Sequence, residues 1–271
     1  VNHQISCTTE ELAVLVSVCG YHEFAKGIAV GSYGDRTEED WNLVFQITIP
    51  HLILKQIWDE RKDEEGEFPL NDNMQSFIKS YVESKRMIRC SDAPNMSAFL
   101  FHKVTDNGWL AHTIYKDIIH EFSYVETEEI PKIIKNYYSF EISSEFSNHE
   151  FCLSDEDFDT LSKYENANQV IAKYETDTLQ RESFEKFIHD LKENNWSLFN
   201  ISNFALSDKE EDTYLENIVF FLPSTNGVWV AEYTDNPVTP VSVRLNPADE
   251  WYQVINGVGF VAASSSASSS S

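Results

Sequence analysis

The strongest constraint on this chain is that one pattern occurs in it twice. From Ser97 an apolar run leads through Val104 to Asp106-Asn107-Gly108 and on to Trp109, Leu110 and Ala111. Asn-Gly between apolar runs signals a hairpin, because both residues tolerate the positive φ of a tight primed turn. A third run, Ile118 to Val125, adds a strand, and Thr127 to Pro131 opens a helix with proline in its first turn, where a missing N–H costs little. The order returns with Ile218 to Leu222, Asn226-Gly227, Val228 to Ala231, a strand from Val238 to Leu245, and a helix capped by Asn246 with Pro247 at its first position. Five elements recurring in order predict an α+β fold. Its unit is a three-stranded antiparallel meander plus helices, made twice and related by a pseudo-twofold into a central antiparallel sheet with flanking helices.

The repeat divides the chain into an N-terminal lobe, 1–150, and a C-terminal lobe, 151–261, with the Ser/Ala stretch 262–271 outside the fold. Thr8 and Glu11 form a capping-box pattern ahead of a helix carrying Leu12, Leu15, Val16 and Cys19 on one face. Helices are also predicted over Asn73 to Lys85, with Met74, Phe77, Ile78, Tyr81 and Val82 as its stripe, and over Gln180 to Asn194, with Phe184, Phe187, Ile188 and Leu191. Glu23 to Val30 reads as a turn and strand. Leu43 to Ile49 reads as a strand ending before Pro50, with a helix from His51 to Arg61 and a solvated loop from Arg61 to Gly66. Ser139 to His149 reads as a linker, and Ser207 to Thr213 as an acidic loop without the ligand spacing of a calcium site.

A net charge of −25 excludes nucleic acid and anionic membrane as partners, because such a surface repels phosphate. Cys7, Cys19, Cys90 and Cys152 lack metal or redox spacing and read as reduced thiols of a cytosolic protein. No signal-peptide pattern and no apolar run of bilayer length is present. The sequence carries no phosphate-binding loop, nucleophile elbow, zinc-protease motif or dinucleotide fingerprint, and the neighbouring strands that hold His102, His112 and His120 supply no third-ligand pattern. No catalytic residue, cofactor or metal site is expected, and the protein is not expected to be an enzyme.

The interest lies in the strand faces. With a two-residue turn at Asn107-Gly108, Leu100, Val104, Trp109 and Ala111 share one face, and Phe99, Phe101, Leu110, Ile114 and Phe122 the other. In the second hairpin Ile218, Phe220, Leu222, Trp229, Ala231 and Tyr233 share one face, and Val219, Phe221, Val228 and Val230 the other. Sheets apolar on both sides need cover on both sides. Either a continuous sheet is sandwiched by the chain's own helices, or part of the second surface is a groove for an apolar helix tip; on that second reading Trp109, Ala111, Phe220, Leu222, Trp229, Ala231 and Tyr233 are the candidate partner-binding residues.

The capped helix from Thr9 into Gly20, the long acidic middle, the two Asn-Gly hairpins with their tryptophans, and the closing helix Asn246-Pro247-Ala248-Asp249-Glu250-Trp251 together resemble the EspG-type chaperones of type VII secretion, over about residues 8 to 258. The resemblance implies a pseudo-twofold α+β fold and a cytoplasmic protein. It implies a partner too: a helical-hairpin secretion substrate whose apolar tip is kept soluble until it reaches the export ATPase. The low-cysteine, strongly acidic composition and the use of lysine and isoleucine suggest a Firmicutes relative, whose clients would be WXG-type or LXG-type helical proteins, with PE/PPE-like ones as the alternative. The competing expectation is an acidic immunity protein of SUKH-like kind that neutralises a basic toxin.

Overall fold

The computed structural model describes residues 4–92, 95, 97–143, 147–161, 163–174, 180–206 and 214–264. Its elements run β1 (Ile5–Thr8), α1 (Thr9–Val18), α2 (His22–Tyr33), α3 (Glu38–Leu54), α4 (Glu60–Glu64), α5 (Asp72–Val82), β2 (Arg86–Asp92), β3 (Ser97–Lys103), β4 (Gly108–Tyr115), β5 (Ile119–Glu126) and α6 (Ile130–Tyr138). They continue β6 (Glu150–Leu153), α7 (Asp155–Leu161), α8 (Ala167–Tyr174), α9 (Arg181–Glu193), β7 (Phe199–Ala205), β8 (Tyr214–Ser224), β9 (Gly227–Tyr233), β10 (Val241–Asn246) and α10 (Ala248–Ser264). The fold is α+β, with antiparallel strand pairs and flanking helices. The order β–α–α–β–β–β–β–α, set aside the extra helices between, occurs once from β1 to α6 and again from β6 to α10.

Contacts group the chain into two compact units that interleave along the sequence. One comprises Val1–Met87, Met96–Val125 and Ala205–Tyr214; the other Ile88–Asn95, Glu126–Phe204 and Leu215–Ser271.

In the first unit the strand order is β1-β5-β4-β3. The register pairs Lys103 with Trp109, Phe101 with Ala111, and Leu100 with His112. Directly opposite residues share a face, so Trp109 and Ala111 lie with Phe101, and Leu110 lies with Leu100, His102 and His112. This corrects the expected faces of the first hairpin. Its connection is not a two-residue turn: the amides of Val104 and Thr105 both donate to the Gly108 carbonyl, at 2.9 and 3.0 Å, and the Gly108 amide donates to Thr105 Oγ1 at 2.8 Å. The longer loop inverts one strand relative to the other.

Leu110, Phe122 and Cys7 form the sheet side of this core, and Leu12, Leu15 and Val16 of α1 with Phe77, Ile78 and Tyr81 of α5 form the helical side. The capping box at Thr8 is present, with the Glu11 amide donating to Thr8 Oγ1 and the Thr8 amide to Glu11 Oε2. Two expected strands are helices. Glu23 to Val30 belongs to α2, which buries Ala25 and Ala29 one turn apart. Leu43 to Ile49 belongs to α3, which continues through Pro50. A helix survives there because Pro50 is exposed, so the carbonyl that loses its partner can face water, and because Thr37 and Asp40 make a capping box at the start. The expected loop Arg61 to Gly66 is largely α4.

In the second unit the order is β2-β7-β8-β9-β10-β6. Leu222 faces Trp229 and Phe220 faces Ala231, while Phe221 faces Val230, which gives the expected faces. Ser224 pairs with Gly227, so the turn is Thr225-Asn226, one residue earlier than expected. Gly227 is fixed by packing: a Cβ there would lie 2.4 Å from the Asn246 carbonyl oxygen. One sheet face, with Leu222, Trp229, Ala231, Val241, Val243 and Leu245, is roofed by Phe158, Val170, Phe184, Phe187 and Leu191 of α7, α8 and α9. On the other, Phe221 and Phe199 meet Tyr138 of α6, and Phe221 meets Trp251 of α10.

Of the expected linker Ser139 to His149, residues 144–146 lie outside the described residues and the part before them packs into this unit. Phe140 packs on Phe199, Phe221 and Trp251, and the Ser143 amide donates to the Thr225 carbonyl at 2.9 Å. The end strand β6 is sealed by α9, whose Gln180 cap accepts from the Cys152 amide at 2.7 Å and whose Ser183 accepts from the Glu150 amide at 3.2 Å. α10 reaches Ser264, so the Ser/Ala stretch begins inside a helix; 265–271 and the expected acidic loop 207–213 lie outside the described residues. Among the described residues no helix is long and apolar enough to cross a membrane.

Candidate functional site

α3 is apolar on two sides. Trp41, Val44 and Phe45 turn toward α1 and α2, where with Ala13, Val14, Ala25 and Ala29 they line an apolar cleft of about 170 Å³. That is the scale of a space that takes one aromatic ring. Thr48 and Leu52 continue this side and are buried. Away from it stand Leu43, Ile47, Pro50 and Leu54, all exposed. Their spacing of four, three and four residues is the seam spacing of a coiled-coil helix. Leu43 is 58% exposed, Ile47 56% and Leu54 81%. Isolated exposed apolar residues are ordinary; a helical row of them is not. At the C-terminal end Lys55 anchors α3 to α1 through Glu11 Oε2 at 2.7 Å.

The residues proposed from the strand faces lie elsewhere. Trp109, Ala111, Leu222, Trp229 and Ala231 are buried, Phe220 is partly buried against the core of the second unit, and Tyr233 alone of the seven is exposed. Trp229 is committed to that core, with its indole N–H donating to Asp190 Oδ2 at 2.8 Å inside the protein. Tyr233 donates its hydroxyl to Asp155 Oδ1 at 2.6 Å, which pushes the phenol up to about 12. The face that carries Leu222, Trp229 and Ala231 is thus greasy because the chain's own α7, α8 and α9 lie on it.

The histidines on neighbouring strands do meet. Thr9 Oγ1 donates to the Asp117 carbonyl at 2.9 Å, so it accepts from His120 Nε2 at 3.0 Å. The other nitrogen of a neutral His120 then accepts from His112 Nε2 at 2.8 Å, and His112 Nδ1 accepts from His102 Nε2 at 3.3 Å. All three rings are therefore neutral Nε2–H tautomers, donating in one direction. Tyr81 stands edge-on to His102 and His112, and Phe122 stacks on His112. Burial pushes His102 and His120 down to about 4 and His112 well below its ordinary range. The nitrogens face one another in series, and among the described residues no group of three or more His, Cys, Asp or Glu is placed to hold a metal ion. The four cysteines are free thiols; Cys7 and Cys90 are buried, and burial pushes the Cys7 thiol up to about 12.

Sequence reading missed the α3 row because its alternating β-branched run and Pro50 read as a broken strand. The signal that could have found it was Thr37 three residues ahead of Asp40, a helix start.

Fold and site define a class: an α+β protein whose candidate strand residues, Tyr233 apart, are buried or partly buried, and which holds out a helix with an exposed apolar row. The chain belongs to the family described as "Uncharacterised protein YfjC", whose profile matches residues 4–244. No curated protein matches it.

Proposed function

We propose that this protein is a cytoplasmic chaperone or adaptor that takes an apolar helical segment of a type VII secretion substrate onto α3 and keeps it soluble for export. One observation carries the reading: Leu43, Ile47, Pro50 and Leu54 form a helical seam in water, the half of a helix pair that lacks its partner. The recurring element order supports the duplicated α+β architecture that the resemblance to EspG-type chaperones implies. The role requires no catalysis. It does require the client to offer a complementary apolar stripe, which would aggregate if left exposed.

The test is fluorescence anisotropy with a synthetic amphipathic helix of about five turns, leucine at its seam positions and no net charge. The expected result is saturable binding to the wild-type chain and loss of binding on combining Leu43→Ser, Ile47→Ser and Leu54→Ser, with circular dichroism unchanged. Equal binding by the triple variant, or none by the wild type, contradicts the reading.

A further inference from the structure

The α3 seam has acidic ends. Ahead of it stand Asp35, Glu38, Glu39 and Asp40 against the single cation Arg36, all exposed. Beyond it stand Asp59, Glu60, Asp63, Glu64, Glu65 and Glu67, all exposed, against Arg61 and Lys62. Between these groups the exposed side of α3 offers only Asn42, Gln46 and His51 beside the apolar row, and Lys55 is engaged with Glu11. The acids of the first turn also favour the α3 dipole, and Asp59, Glu60 and Asp63 stand at the start of α4, where Asp59 accepts from the Lys62 amide at 3.3 Å; Glu64, Glu65 and Glu67, at and beyond the other end of α4, serve neither helix dipole.

Burying this row against a partner's stripe gains free energy with the area removed from water, and association gives up translational, rotational and side-chain freedom. A row of three large apolar side chains leaves a small surplus, and opposite charge at the ends adds to it.

We infer that the α3 seam is a docking site for a helix that is basic at both ends, with Lys or Arg flanking an apolar row of about three turns. Charge selects this occupant over a second copy of the chain, which would bring another −25 against the same acids. The inference rests on the helix-binding reading above and adds the partner's charge.

Two peptides derived from the neutral probe test it, one with lysines and one with glutamates at both ends, titrated into the full chain at low and high salt. The lysine-ended peptide is expected to bind at least about tenfold tighter than the glutamate-ended one at low salt, the gap narrowing as salt rises. Combining Glu38→Gln, Glu39→Gln, Glu64→Gln and Glu65→Gln is expected to shrink the gap while leaving binding of the neutral peptide in place. Equal affinity of the two charged peptides, with the neutral one bound, overturns the charge inference and leaves the helix-binding reading standing. Failure of all three peptides to bind, or sedimentation as a dimer that the α3 serine substitutions dissolve, overturns both.

Discussion

Lys55 reaches from the C-terminal end of α3 to Glu11 of α1, Nζ to Oε2 at 2.7 Å. Glu11 is almost wholly buried, and the same oxygen accepts from the Thr8 amide that completes the α1 capping box. One carboxylate thus caps one helix and fastens another. Lys55→Met is expected to lower stability by about 1–3 kcal/mol, less than a fully buried pair would cost because the ammonium is partly in water. A urea midpoint unchanged by the substitution would show that α3 is held by packing alone.

The two sides of α3 make opposite predictions. Ile47→Ser on the exposed seam is expected to change stability by no more than about 0.5 kcal/mol, whereas Leu52→Ala on the buried side is expected to cost about 2–5 kcal/mol. Pro50→Ala restores a helical amide and is expected to stabilise by about 1 kcal/mol or more. Chemical unfolding of the three variants checks all of this at once.

What could be read beforehand, and what could not, has a physical pattern. The Thr8 and Glu11 capping box, the stripes of α5 and α9, and the faces of the β8–β9 hairpin were all legible, because each is a local signal in a repeating geometry. The faces of the first hairpin were not, since they depend on how many residues the loop after Lys103 holds, and Asn-Gly alone does not count them. α2 and α3 read as strands because Glu23 to Val30 ends in Ile-Ala-Val and Leu43 to Ile49 is rich in β-branched and aromatic residues that favour strands, and tertiary cover overrode that preference. The candidate site fell in that ambiguous segment. The strand faces drew attention first because composition shows that a surface is apolar but not whether the same chain covers it.

Trp229, first a candidate for partner contact, now serves as the control. Trp229→Phe removes the donor to buried Asp190 and is expected to cost about 1–3 kcal/mol of stability. Binding of the neutral helical peptide is expected to be unchanged for the folded variant, and a specific loss of affinity would return the sheet to consideration.

The histidine relay sets an acid limit. His102 and His120 titrate near 4 in the folded protein against an ordinary 6.5, so between those values the unfolded chain binds more protons. Their contribution is complete above about 6.5 and is lost as pH falls toward 4. Urea midpoints are expected to fall over that window more steeply for the wild type than for His102→Phe, and long-range nitrogen NMR at neutral pH is expected to find all three rings as Nε2–H tautomers. Equal slopes, or an Nδ1–H ring among the three, would break the relay.

Amide hydrogen exchange with and without the neutral helical peptide tests the central claim most directly, because it maps where the partner lies. The account predicts slowed exchange along Glu38 to Leu54, with β8 and β9 unchanged. Protection confined to the strands, or absent throughout while the peptide is bound, would contradict it.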